Sequence, residues 1–201
     1  VFAPSVTRNE ISAKQNGIYV RNEMGNGNYS YNKIISDYTG IDIQRYGDYP
    51  QKARITNNFI SVVSLNFAVG ITIPNTIMTE IYNNSVFVKS KYPLSTAFQA
   101  ENGSVMAGVV IKNNNFVCEN KGYALFIITP AAISEMSNNN LYTEGNFIAK
   151  WGSEYITDLH DLQSVSGMNE NSLTVYPHYV SDTDLHTTAS WLDGKGSVLA
   201  G

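Results

Sequence analysis

Ile55-Thr56-Asn57-Asn58-Phe59-Ile60-Ser61-Val62 decides the fold, because the chain repeats its pattern 26 residues later as Ile81-Tyr82-Asn83-Asn84-Ser85-Val86-Phe87-Val88. Aligning the second asparagine of each doublet or triplet gives a column of Asn58, Asn84, Asn114 and Asn139, and the segment Tyr29 to Ile34 fits one step earlier, adding Asn32 at spacings of 26, 26, 30 and 25 residues. Three positions before each asparagine stand Tyr29, Ile55, Ile81, Ile111 and Met136. Two positions after come Ile34, Ile60, Val86, Phe116 and Leu141, and four after come Ser36, Val62, Val88, Cys118 and Thr143. Apolar residues alternating at period two mark short strands, repeated once per period.

A second strand recurs between these, starting from a small residue at Gly17, Gly40, Gly70, Thr96 and Gly122. Periods this short leave no room for a crossover helix, so units stacked edge to edge form a solenoid. The expected fold is all-β, a right-handed parallel β-helix of about five coils over residues 17–145. Stacked inner asparagines would bond along its axis, as amide ladders do. Residues 1–16 read as a lead-in or the remnant of preceding coils, and residues 146–201 as a C-terminal cap and tail. Within the cap, Asp158 followed by Leu159, Leu162 and Val165 predicts a short helix, with Trp151 and Trp191 as buried anchors.

Composition sets outer limits. The 201 residues are 43% hydrophobic and only 15% charged, with a net charge of -4, which excludes a disordered acidic tail and a basic nucleic-acid binder. A single cysteine, Cys118, excludes an intramolecular disulfide framework, and its inward column makes it a packed thiol. Val1-Phe2-Ala3-Pro4 lacks the basic and apolar regions of an export signal, so export implies a signal outside this sequence.

The asparagine-marked coils resemble the right-handed parallel β-helix repeat proteins of the pectate-lyase-like superfamily. The ending is similar to a closing segment of large secreted or cell-surface bacterial β-helix proteins. Its residues are Lys150 to Tyr155, Asp161 to Gly167, Tyr176-Pro177-His178-Tyr179-Val180 and Asp184-Leu185-His186. Tyr176 departs from the usual aspartate before the proline, and Tyr179 from the usual phenylalanine. Covering residues 17–193, the resemblance implies export, a carbohydrate-rich setting and neighbouring domains. It implies no particular activity.

Register gives the candidate chemistry. Five positions after the ladder asparagine the column reads Asp37, Val63, Lys89, Glu119 and Glu144. Rungs about 4.8 Å apart would make Glu119 and Glu144 neighbours at a spacing suited to a glycosidase acid pair or, with main-chain oxygens, to calcium. The plainer reading of Lys89 beside Glu119 is a surface ion pair, as for Arg54 beside Glu80. An outward column offers Phe59, Phe87 and Tyr142 as sugar-stacking platforms, unless a turn at 89–95 or 100–108 folds over them. Asp182, Asp184 and His186 alternate as zinc ligands might, but without a further ligand cluster the better reading is turn and cap bonding by aspartate. The nearest approach to lyase machinery is Asp42 with Arg45, and no acid shares the Asp42 column on adjacent coils.

These readings converge on a non-catalytic extracellular module of a larger bacterial surface or secreted protein, binding a polysaccharide or host glycan. No cofactor is required. The alternatives are a polysaccharide lyase or glycoside hydrolase using Lys89, Glu119 and Glu144, or a structural spacer.

Overall fold

The computed structural model describes residues 3–45, 51–75, 77–101 and 108–199. Three parallel sheets stack successive turns of the chain into a β-solenoid. The first sheet holds Ser5–Thr7, Asn28–Ser30, Ala53–Thr56, Thr79–Tyr82, Val109–Lys112 and Ile133–Ser137. The second holds Glu10–Ala13, Lys33–Ser36, Phe59–Ser64, Ser85–Ser90, Asn115–Asn120 and Asn140–Thr143. The third runs from Asn16–Glu23 through Thr39–Arg45, Val69–Thr72, Thr96–Ala100 and Tyr123–Ile127 to Ala149–Trp151, where Glu154–Ile156 adds an antiparallel edge. Ser5–Thr7 and Glu10–Ala13 pair with the next rung in the same register as every later rung.

The ladder asparagines sit where the first sheet turns into the second. The backbone N–H and the Nδ2 of Asn32 both donate to Asn58 Oδ1, at 3.0 Å each. Asn58 does the same to Asn84, Asn84 to Asn114, and Asn114 to Asn139. The second Nδ2 hydrogen reaches back to a carbonyl of the previous rung, Tyr29 for Asn58 and Ile55 for Asn84. Each interior side chain therefore satisfies its donors and its acceptor while remaining at most 2% exposed, which removes the usual penalty for a buried amide. Asn9, absent from the sequence-derived column, starts the ladder by donating to Asn32, and the Ser172 hydroxyl ends it by accepting from Asn139 N–H.

The first asparagine of each doublet has a separate cause. Asn57, Asn83, Asn113 and Asn138 adopt φ of 54–59°, the left-handed region that asparagine tolerates better than most residues. Arg8 and Tyr31 occupy the same turn at φ 58° without that tolerance.

Inward columns match the sequence register in the first two sheets, with Ile55 opposite Ile81 and Val86 opposite Phe116. The third sheet corrects it, by one residue at Thr96 and by two at Gly122. Ile71 pairs with Phe98 and Phe98 with Leu125, so the small-residue column is Gly17, Gly40, Gly70, Ala97 and Ala124. Thr96 and Gly122 thus lie outside it. A Cβ at Gly70 would fall on the Val86 side chain and the Ala97 carbonyl oxygen, which explains the glycine without any unusual φ.

Where the third sheet returns to the first, a buried ion pair replaces a regular turn. Arg45 is 2% exposed and Glu23 fully buried, with Nε 2.7 Å from the carboxylate. The Nη atoms donate to the carbonyls of Gly25, Gln51, Ile77 and Met78, tying connections from three rungs together. Glu23 accepts in turn from the N–H groups of Gly25 and Gly27. Arg45 is thereby enclosed, not presented to a substrate beside Asp42.

The predicted helix forms over Leu159–Ser166, capped by Asp158 accepting from Asp161 N–H and ended by Gly167 at φ 65°. Leu162 is fully buried against the last rung, and Trp151 is buried as expected. Trp191 is 48% exposed, contrary to its assignment as a buried anchor; it lies in a short 3-10 turn with its ring 5.6 Å from His178.

Replacing Asn84 with leucine strips partners from Asn58 N–H, Asn58 Nδ2 and the Ile55 carbonyl. At about 1–3 kcal/mol per orphaned group, the loss should reach at least about 3 kcal/mol, measured by urea unfolding. Asn9→Ala at the exposed end should cost under about 1 kcal/mol, because the backbone N–H still reaches Asn32. Equal losses would contradict the ladder as the source of stability. In the opposite direction, Tyr31→Asn should stabilise by about 0.5 to 1 kcal/mol by relieving the left-handed turn.

Candidate functional site

The paired-acid column forms in the expected register, but its members are already occupied. Lys89 lies opposite Glu119, 3.4 Å from its carboxylate, and 3.0 Å from Asp182 on the C-terminal tail. The hydrogen bond that Lys89 donates to Asp182, reinforced by Glu119, raises the Lys89 pKa, the reverse of what a general base needs. Glu119 also accepts from the Tyr176 hydroxyl at 2.7 Å, which helps push that phenol up to about 12. Tyr176, departing from the aspartate of the resembled segment, thus provides a donor to Glu119. Glu144 turns to the backbone N–H of Asn120, at 2.7 Å. Burial pushes the Cys118 thiol up to about 12, fitting a packed side chain.

The Phe59, Phe87 and Tyr142 face is covered. Its cover is the antiparallel hairpin of Tyr179–Ser181 and Asp184–Thr187, instead of the turn at 89–95; the alternative at 100–108 falls largely outside the described residues. Phe87 is 1% exposed beneath Leu185 and Tyr179, and Phe59 meets the His186 ring at 5.0 Å. Tyr142 lies 5.2 Å from the Tyr176 ring. Asp182 fastens the hairpin tip through Lys89 and the Ser61 hydroxyl. Asp184 bonds its neighbour His186, and among the described residues no three or more His, Cys, Asp or Glu side chains converge on a metal position.

Open aromatic surface lies instead along the turns from the second sheet to the third. Tyr38 and Tyr92, 47% and 44% exposed, flank Phe67 at ring separations of 6.0 and 5.8 Å. Beside Tyr38 opens a cleft of about 650 Å³ lined by Lys14, Asn16, Asp37, Leu65 and Asn66. Further along the same edge, Lys121, Tyr123, Glu144 and Phe147 border a second cavity of about 270 Å³. Tyr123 and Phe147 are near parallel there, at 9° and 6.5 Å.

Buried serines hold this edge in place. Ser90 Oγ donates to the Asn66 carbonyl and accepts from both Ser95 Oγ and the Tyr92 N–H. Ser95 accepts from Ala68 N–H as well, so the Phe67 and Tyr92 turns are locked to each other. Tyr38, Phe67 and Tyr92 stand six, nine and eight positions after their ladder asparagines. Turn lengths differ between rungs, so a search by fixed column passes over them.

No protein-family model, no curated protein and no solved structure matches the chain. The fold and the ladder define a parallel β-solenoid.

On the outer face of the third sheet, burial pushes the Asp42 carboxyl up to about 6, against a lowering pull from Arg21. Its folded pKa stands above the unfolded value, so the folded state should lose stability as pH rises from 3.8 toward about 6. Asp42→Asn should remove that slope and raise the Tm at pH 7; a slope equal to the parent's would show that Asp42 ionises freely.

Proposed function

We propose that this chain is a carbohydrate-binding or adhesion module of the pectate-lyase-like β-helix kind. Its polysaccharide or host glycan would lie along the Tyr38–Phe67–Tyr92 edge. The reading rests on one observation above all: three adjoining rings stand partly open beside a 650 Å³ cleft rimmed by amide and charged groups. Flat apolar faces with hydrogen-bonding rims suit pyranose rings, which offer apolar faces and hydroxyl edges. Large exposed apolar groups along one edge are also costly without a partner.

A binder is favoured over a lyase or hydrolase because the hydrogen bonds of Glu119 and Glu144, and the Asp182 pairing of Lys89, already engage the groups that chemistry would require. Calcium has no part in this reading. The setting proposed is the outside of a bacterial cell, within a longer secreted or surface protein whose other domains are neighbours.

Calorimetric titration with soluble polysaccharides, with reducing-end and unsaturated products assayed on the same samples, tests the proposal. Saturable binding without products is expected, and Tyr38→Ala or Tyr92→Ala should each weaken it about fivefold, the equivalent of about 1 kcal/mol per ring. Product release, or binding indifferent to both substitutions, would overturn the reading.

A further inference from the structure

The outer face of the first sheet carries a separate cleft of about 750 Å³ between the second and third rungs, bordered by Asn28, Tyr31, Gln51, Lys52, Arg54 and Thr56. Small residues on the sheet, Ser30 and Thr56, make its floor, and Tyr31 rises beside them from its left-handed turn. Its charge runs against the rest of the molecule. The chain carries a net charge of -4, yet two cations here converge on one carboxylate. Lys52 Nζ lies 2.6 Å from Glu80 Oε1, and Arg54 Nε lies 2.9 Å from Glu80 Oε2.

Burial alone would raise the Glu80 carboxyl, but hydrogen bonds from Lys52 and Arg54 bring it below its ordinary value. It is therefore ionised at neutral pH and cancels one of the two positive charges. Arg8, lying 5.3 Å over the Tyr31 ring, brings a third cation to the rim. Lys52 and Arg54 side chains are 49% and 60% exposed, whereas Glu80 is 9% exposed. The acid is thus the anchor and the cations reach solvent. Arg54 meets Glu80 through Nε, an edge contact that directs the guanidinium's other nitrogens elsewhere.

We infer that this cleft is an anion site, taking a sulfate, phosphate or carboxylate group between Lys52, Arg54 and the Arg8–Tyr31 rim. Glu80 acts as an internal counter-ion that holds both cations in position and competes with the ligand for them. A purely structural ion network would have no excess charge at an open cleft, and removing its acid would only weaken the fold.

The decisive variant is Glu80→Gln, which keeps side-chain shape but releases both cations. Titration of dextran sulfate, with uncharged dextran and inorganic sulfate as parallel probes, should show binding of dextran sulfate and not of dextran. Glu80→Gln should tighten it about tenfold, consistent with one or two charge-assisted bonds freed for the ligand. Lys52→Gln/Arg54→Gln/Glu80→Gln, a neutral network with no stranded buried charge, should lose at least about tenfold relative to the parent. Saturation by inorganic sulfate at similar affinity would assign a free oxyanion, and much tighter dextran sulfate binding a polymer-borne group; both support the site. Lys150→Gln, which removes a cation lying over Phe126 and Tyr155 on the third sheet, should leave these affinities unchanged and so separates this cleft from general attraction to basic side chains. Failure of Glu80→Gln to tighten binding, or parent-like binding by the neutral variant, would overturn the inference.

Discussion

One interaction makes the remaining architecture affordable: an amide side chain whose hydrogen-bonding groups are all satisfied inside an otherwise apolar solenoid. Every rung must turn inward between its first and second strands, and an inward turn strands backbone N–H groups away from water. The ladder asparagines resolve this by accepting, at a single oxygen, both the backbone and side-chain donors of the preceding rung. Because each asparagine serves its neighbours and is served by them, the bonds polarise one another along the column. Rung spacing, strand register and the stacking of Ile34, Ile60, Val86, Phe116 and Leu141 follow from it.

The other two corners are built differently. At the second-to-third corner, Gly40 and Gly70 let neighbouring rungs touch backbone to side chain, and later rungs substitute alanine. At the third-to-first corner the connections vary in length, and a periodic device cannot serve them. Arg45 compensates with a planar fork that bonds four carbonyls while pairing with Glu23. A long, always-charged donor suits an irregular set of acceptors better than any repeat could. The enclosed pair organises these loops at the cost of desolvating two charges.

Much of this was legible in the sequence because a ladder imposes one residue type at one phase. The doublets supplied the phase, and period-two alternation supplied the inward faces of the first two sheets. Asn9 escaped because it stands in no doublet and lies only 23 residues before Asn32, and the third sheet slipped by one and two residues because Ala97 and Ala124 replace the marker glycine. The surface was harder to read. Whether Phe87 faces solvent depends on Leu185, almost a hundred residues away and following no period. Likewise the Phe67 and Tyr92 turns, of unequal length, are joined by two buried serines that no column marks.

The asparagine column also has a direction. Every bond accepted by a ladder Oδ1 runs one way, from nitrogen on the earlier rung to oxygen on the later, while the second Nδ2 hydrogen reaches back to a backbone carbonyl. Asn9 enters only as a donor, and Ser172 receives the final bond. The two ends of the column are therefore chemically unlike, an amide oxygen at Asn9 and a serine hydroxyl at Ser172. Two Asn9 ends brought together would set amide oxygen against amide oxygen, whereas the Ser172 hydroxyl at the other end both donates and accepts. Stacking that continued the ladder in its own bonding sense would run head to tail, the vectorial order of a polar filament.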